Sequence, residues 1–575
     1  MEEPAGLERV HRYHEGTKHH FNRFAQSLGY LDWASQPRPF RSFEGAPVFE
    51  LYPGPAAAGP APGLPPVTYD RLLDNPPGWP AAAVPVTAAT LGHFLRHALG
   101  LSAWKAFQRT RWSLRVNPSS GNLHPTEAYI VTGSLPDFAQ TPGVWHYAPD
   151  RHAIERRCVF DREVWRLAGA GEGTDAFFVA LTSIHWRESW KYGERAFRYC
   201  QHDLGHAIGA LGLSAALCGW RATLLPDWSH RAVAALTGVD RDEDYVEAER
   251  EEPACLMLVT RRGEEGSGVF SSSSTSRKDS RPLFVEAVRQ SRWFGRASQL
   301  SEEHVQWAFI DEVARATEDS GRVTINAEHA EKQNSAISAI SAFNPATDRG
   351  LDARTIILQR RSAVALDQTG TDRATFLRML SRVLHGPAAP WDALWWSPRI
   401  HLALFVHRVE GVVPGLYLLV RAESTVPRLR AALRREFIWE PVADGFPLWR
   451  LQAGDYRAAS RRLSCDQEIA ADGFFSLGMI ADFDAALEMR GPSFYRQLFW
   501  ESGVVGQVLY LEAEAAGARA TGIGCYYDDP VHQLLGLSGH AFQSLYHFTV
   551  GMPVEDGRLT TEPGYPWETK GGASS

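Results

Sequence analysis

The chain has 575 residues, 44% hydrophobic and 22% charged, with 59 basic against 67 acidic side chains and a formal net charge of -8. That length supports more than one core, and the mild acidity gives no basic face for a phosphate backbone, so nucleic acid is excluded as an expected partner. No run approaches the ~18 apolar residues of a membrane helix, the first residues hold no signal-like apolar stretch, and the six cysteines form no C-x-x-C pair, which together predict a cytoplasmic protein with reduced thiols and no membrane contact.

Residues 1–85 read as an N-terminal extension. Its "HRYHEGTKHH" stretch predicts a basic, aromatic surface helix, with no metal expected on its histidines, and "YPGPAAAGPAPGLPPV" predicts a loop or wrap. A first domain follows at 86–262. It contains the turn "NPSSGNLHP", a strand, a "PG" turn, a second strand, the segment "ESWKYGERAFRY" and a long helical pattern. Residues 263–349, opening with "RRGEEGSGVFSSSSTSRKDSRP", predict a linker with connecting helices, 350–560 a second domain, and 561–575 a C-terminal tail.

The second domain repeats the first. "FRYCQHDLGHAIGALGLSAALCGWRAT" (197–223) aligns without a gap on "YRQLFWESGVVGQVLYLEAEAAGARAT" (495–521), pairing Gly205 with Gly503 and Gly219 with Gly517 at a spacing of 298 (503 minus 205). Each copy predicts a long helix with an apolar face, Leu204, Ile208, Leu211 and Ala215 in the first, closed by a C′ glycine and followed by a strand. Interleaved helices and strands predict an α+β class with a mixed, mainly antiparallel sheet flanked by helices. Two such domains in one chain predict an intrachain pseudo-dimer that needs no second subunit.

The copies differ in complementary ways. "ILQRRSAVALD" near the start of copy two offers Arg360, Arg361 and Ser362 to an anion, whereas copy one reads "GHFLRHALGLSAWKAF" at the region matched to it. Copy one has "NPSSGNLHP" where copy two has "GPAAPWDALWWSPRI". Copy two has "ATGIGCYYDD" where copy one has "ATLLPDW", and glycines there would let a flat ligand lie against a strand. "HDLGH" sets His202 and His206 at a zinc-ligand spacing, but the sequence supplies no third ligand, so no metal is expected.

These motifs together resemble the nitroreductase superfamily of flavin enzymes, and within it the SagB/ThcOx-type azoline dehydrogenases in a tandem form. The resemblance implies FMN held between two domains. Arg360, Arg361, Ser362 and Arg558 would take the phosphate, with Val364 standing where a second basic residue is common. Gly522, Ile523 and Gly524 would flank the ring, and Pro118, Ser119, Ser120 and Asn122 would reach it from the other domain. Lys191 and Tyr192 look like that branch's catalytic Lys-Tyr pair, with Lys191 as a base of lowered pKa. One FMN per chain is expected, because the mirror-image site lacks its arginines and serines. The implied activity is hydride transfer to or from flavin N5 during oxidation of an azoline-type peptide or small-molecule substrate. The alternatives are an NAD(P)H-dependent nitro or quinone reductase and an inactive scaffold of a peptide-modifying complex.

Overall fold

The structure is a computed structural model that describes residues 2–51, 64–74, 83–135, 139–169, 176–262, 280–321 and 348–569. The Pro-rich wrap at 52–63 and the Ser-rich break at 263–279 lie outside the described residues.

Two large sheets repeat one plan. In the first, the strand order is Ala153–Val159, Gly143–Ala148, Thr126–Thr132, Ala176–Ser183, Glu252–Arg261, Trp220–Leu224; in the second it is Leu448–Ala453, Gly415–Leu419, Ile400–Val406, Phe475–Asp482, Phe542–Gly551, Arg519–Ile523. All of these pairings are antiparallel. Among the described residues the expected mixed character consists of one parallel bridge, Ser362 to Ala520, at the edge of the second sheet, and a two-stranded parallel pair at Thr371–Asp372 and Val409–Glu410. Each central strand is buried on both faces. Along Thr126–Thr132, Ala128 and Ile130 enter the central core while Tyr129 and Val131 enter an outer one. Leu402 and Leu404 against Ala403 and Phe405 do the same in the second sheet, as period-two side-chain alternation requires.

Between the sheets lie the repeated long helices, Ala196–Leu217 and Phe494–Ala515. Every residue of the first is buried, so the single apolar face expected from sequence is replaced by a helix enclosed all round. Its polar side chains face the protein interior. The two helices cross where the repeat-related glycines meet: a Cβ on Gly205 would lie 2.8 Å from Gly503 Cα, and one on Gly503 would lie 2.3 Å from the His202 carbonyl oxygen. Gly219 and Gly517 end the helices with φ of +73° and +72°, as the C′ position demands.

Several boundaries differ from the sequence expectation. The helix Glu2–Gly16 is no surface element: Val10, Tyr13 and His14 are fully buried, and His14 bridges Tyr495 and Gln543 of the second half. Residues 280–321 are not a linker, because Arg292–Trp293 adds to the first sheet and Phe284 and Val288 fill its outer core. Residues 561–569 are not a free tail. Thr560–Pro563 pairs with Leu101–Phe107 of the first half, and Tyr565, buried, donates from its hydroxyl to the Pro149 carbonyl at 2.7 Å. The matching of "ILQRRS" to "GHFLRHALG" also shifts. Ala88–Ala98 and Arg373–Arg382 are the paired elements, each packed on its own long helix, while Ala353–Gln359 packs on Tyr69–Asp74.

The first sheet encloses a charge triad. His146 lies 2.9 Å from both Glu127 and Glu155, with all three buried, and Arg187 pairs with Glu127. Burial alone would lower the imidazole pKa, but the flanking carboxylates overcome it and raise it to about 9. A raised histidine pKa stabilises fully below the unfolded value of about 6.5 and loses that stabilisation as pH rises through the folded value. Stability should therefore fall between pH 6.5 and about 9 by at most about 3.5 kcal/mol, taken as ~1.4 kcal/mol per pKa unit, and thermal melts should fall with it. His146→Gln should flatten that slope; an unchanged slope would locate the titration elsewhere.

Candidate functional site

A cavity of about 440 Å³ opens between the halves, lined by both. The segment after helix Ala353–Gln359 brings Arg360 to its floor. That guanidinium reaches across the domain boundary, donating from Nε to the Val116 carbonyl at 3.1 Å and from Nη2 to the Arg115 carbonyl at 3.0 Å. Its Nη1 is buried with no hydrogen-bond partner. Such an orphaned cationic donor is costly unless an anion meets it. Arg361 is tied to the backbone carbonyls of Leu358, Arg360 and Ser102, and the Ser362 hydroxyl lies 3.0 Å from that of Tyr510. Lys105 and Arg519, which sequence reasoning passed over, also line this end. Arg558 does not: its side chain is 76% exposed and pairs with Asp556 at 2.8 Å. It follows a turn that carries it out to solvent, and this corrects its assignment to the phosphate pocket.

The other end is formed by the turn Pro118 to Asn122, Gly522 to Gly524 at the end of strand Arg519–Ile523, and Tyr192, Tyr199 and Tyr546. The turn is internally braced. Asn122, at φ +60°, donates from Nδ2 to the Ser113 carbonyl at 2.9 Å and sets Oδ1 2.9 Å from His124 Nε2, while Ser119 Oγ accepts from the His124 backbone N–H at 2.8 Å. The Asn122 amide, expected to read a flavin edge, is thus engaged in shaping the turn. The glycines also have a different reason from the one expected. A Cβ at 522 would lie 2.0 Å from the Tyr546 hydroxyl oxygen and one at 524 would lie 2.4 Å from the Tyr199 ring, so the absent side chains make room for tyrosines. Ile523, between them, is buried and also lines the cavity.

Ser120 connects the turn to the first long helix, its backbone N–H and its hydroxyl both reaching Asp203 Oδ1 at 3.1 Å. Asp203 is buried and lines the cavity, and burial raises its pKa to about 7 against the opposing hydrogen bonds from Ser119 and Ser120. Glu188 is fully buried beside it, pushed well up by burial and then by the Asp203 carboxylate. Sequence reasoning missed both; Asp203 stood inside "HDLGH", which was read only for metal spacing. The histidines of that motif serve Tyr546 instead: His202 stacks on its ring at 4.1 Å and His206 Nε2 lies 3.2 Å from its hydroxyl. Tyr192 lines the cavity, and burial and then Glu188 hold its phenol protonated. Lys191 is exposed, its ammonium 5.2 Å from the Tyr192 ring centroid. Lys191 is not among the residues that line the cavity, so it does not sit inside it as the expected base.

The mirror-image position is filled by protein. There the turn Trp391–Ala393 packs on strand Trp220–Leu224, and Asp392 pairs with Arg262 at 2.9 Å and with Arg221 at 3.5 Å. Arg221 is the repeat partner of Arg519, and both are paired with a carboxylate, Arg519 with Glu555 at 2.6 Å; what differs is that Arg519 lines the cavity whereas Arg221 meets the turn that fills the mirror position.

No family model matches the chain. A curated protein of Methanocaldococcus jannaschii described as "Putative nitroreductase MJ1384" is 30% identical over 143 residues, which are 24% of this chain and 66% of that protein. The chain thus spans just under two thirds of the length of the curated relative it matches. A crystal structure described as a putative nitroreductase from Anabaena variabilis superposes with a TM-score of 0.65 at 20% identity, covering 95% of this chain and 99% of its own. The doubled sheet, the paired long helices and this likeness along nearly the whole length show that the chain has the nitroreductase-like α+β fold.

Proposed function

We propose that the chain is an FMN-dependent oxidoreductase with one flavin site between its halves. The buried, partnerless Nη1 of Arg360, at the cationic end of a cavity whose other end is lined by tyrosines and two glycines, carries this reading. Arg360, Arg361 and Ser362, with Lys105 and Arg519, would hold the phosphate, and Pro118 to Asn122 with Gly522 to Gly524 would border the ring. Bound there, FMN supplies hydride acceptance or donation at N5. The plugged mirror position supports one FMN per chain in an intrachain pseudo-dimer.

The chain's own groups handle the proton. Asp203 is poised near neutrality to take one from a bound substrate, and Tyr192 stays protonated as a hydrogen-bond donor beside it. Lys191, at the rim, would meet the charged part of an entering substrate. A base inside the cavity suits removal of a C–H proton, so oxidation of an azoline-type substrate in a peptide or small molecule is favoured over NAD(P)H-driven reduction.

Because the Asp203 pKa is raised to about 7, its basic form accumulates above that value. With FMN loaded, kcat/KM should rise with pH through about 7, and Asp203→Asn should remove that limb and lower the rate ~100-fold, within the usual range for a general base. An unaltered pH limb in Asp203→Asn would assign the base elsewhere. Purified protein should carry one equivalent of FMN; two equivalents would overturn the single site, and refusal of added FMN would favour the scaffold reading.

A further inference from the structure

Six free cysteines divide into two groups. Cys158, Cys200, Cys218 and Cys255 are buried, and burial raises the thiol pKa of each, to about 12 for Cys158, Cys218 and Cys255. Cys465 and Cys525 are only half-buried, and they meet across 60 residues of chain with their Sγ atoms 2.7 Å apart. Cys525 follows Gly524 and lines the cavity; Cys465 sits just after helix Arg457–Leu463. Gln467 fastens the two loops together, donating from Nε2 to the Cys525 carbonyl at 3.1 Å and to the Ser464 carbonyl at 2.8 Å. His19, from the N-terminal extension, places Nδ1 3.8 Å from Cys525 Sγ.

We propose that Cys525 and Cys465 are a reversible redox pair in the cavity wall, Cys525 reacting with a hydroperoxide and Cys465 resolving it to a disulfide. Three features support this over inert thiols. The pair is accessible, its sulfurs are already adjacent, and Cys525 has a stabilised thiolate, its pKa lowered first by the hydrogen bond from the Cys465 thiol and then by His19. A metal is the competing use, since His19, Cys465 and Cys525 offer three ligand atoms within 4.8 Å of one another. Among the described residues only these three ligand atoms converge, one short of the four that a structural zinc site requires.

The chemistry balances. The Cys525 thiolate attacks one peroxide oxygen, the O–O bond breaks, and hydroxide leaves to take a proton, giving a sulfenic acid and one water. Cys465 then attacks the sulfenic sulfur, the S–O bond breaks, the S–S bond forms, and the second water carries off the remaining proton. Two thiols lose two electrons and the peroxide gains them. The proposal does not depend on a flavin being present.

The test treats the full chain with one equivalent of hydrogen peroxide, blocks free thiols with iodoacetamide, and maps the peptides by mass without reductant. A peptide joined through Cys465 and Cys525 is expected, with free thiols falling from six to four (six minus the pair) and returning on dithiothreitol. Cys465→Ser should stop at Cys525 sulfenic acid and yield a dimedone adduct at that residue. In untreated protein Cys525 should alkylate at least ~10-fold faster at neutral pH than the four buried cysteines. The proposal is overturned if Cys525 stays reduced at one equivalent of peroxide, or if purified protein holds stoichiometric zinc and the pair alkylates only after a chelator.

Discussion

Arg360→Ala is expected to weaken FMN binding about 100-fold, or ~3 kcal/mol, the value of losing charge-assisted contacts to a phosphate in a buried setting. The loss has two parts. One is the Nη1 donor, buried without a protein partner; the other is the bridge from Nε and Nη2 to the carbonyls of Val116 and Arg115, which holds the start of the Pro118 to Asn122 turn. Titration of apoprotein followed by flavin fluorescence quenching reads the effect. Arg558→Ala is the internal control, because that side chain is exposed and paired with Asp556 on the surface. Asn122→Ala should also lower occupancy, by releasing Ser113 and His124 rather than by losing a direct contact. Wild-type affinity in Arg360→Ala would sink the assignment of the phosphate end.

The second large effect is on stability. Gly503→Ala places a methyl group 2.3 Å from the His202 carbonyl oxygen and 2.7 Å from Gly205 Cα, both backbone atoms that no rotamer change can move aside. The long helices must separate where they cross. Alanine gains ~1 kcal/mol of helix propensity, but overpacking against backbone outweighs it, and a net loss of about 3 kcal/mol is expected. The melting temperature should drop by ~2–3 °C, with activity and flavin retention falling together. Gly517→Ala offers a contrast. Its Cβ would meet nothing within 4 Å, so its cost is confined to the left-handed backbone at φ +72°.

Much of the architecture was legible because it is written in local periodicity and in duplication. The gapless alignment of 197–223 on 495–521 located both long helices, their terminal glycines and the strands that follow, since helix period and C′ glycine are properties of a few adjacent residues. The nearness of Arg360 to the turn at 118–122 was legible only through the asymmetry between copies. What escaped depends on three-dimensional burial. Nothing adjacent to Asp203 in sequence announces a pKa near 7, because that value comes from burial in the folded interior, against the hydrogen bonds with Ser119, Ser120 and Glu188. Arg558 was misplaced for a related reason: proximity to the last strand in sequence says nothing about which way a turn sends the side chain. The glycines at 522 and 524 were noticed, yet the tyrosines that occupy their space come from residues 546 and 199, far along the chain.

The strand Thr560–Pro563, laid on Leu101–Phe107, has a consequence for how the chain is made. During synthesis the first sheet and helices emerge several hundred residues before that strand exists, so the first half must wait on the ribosome with the edge at Leu101–Phe107 uncovered and the Tyr565 hydroxyl not yet delivered to Leu101 N–H and the Pro149 carbonyl. The helix Glu2–Gly16 likewise waits for Tyr495 and Gln543. Glu2–Gly16 and Thr560–Tyr565 thus each dock on the opposite half, so the two halves are locked together only once the residues up to Tyr565 have been made.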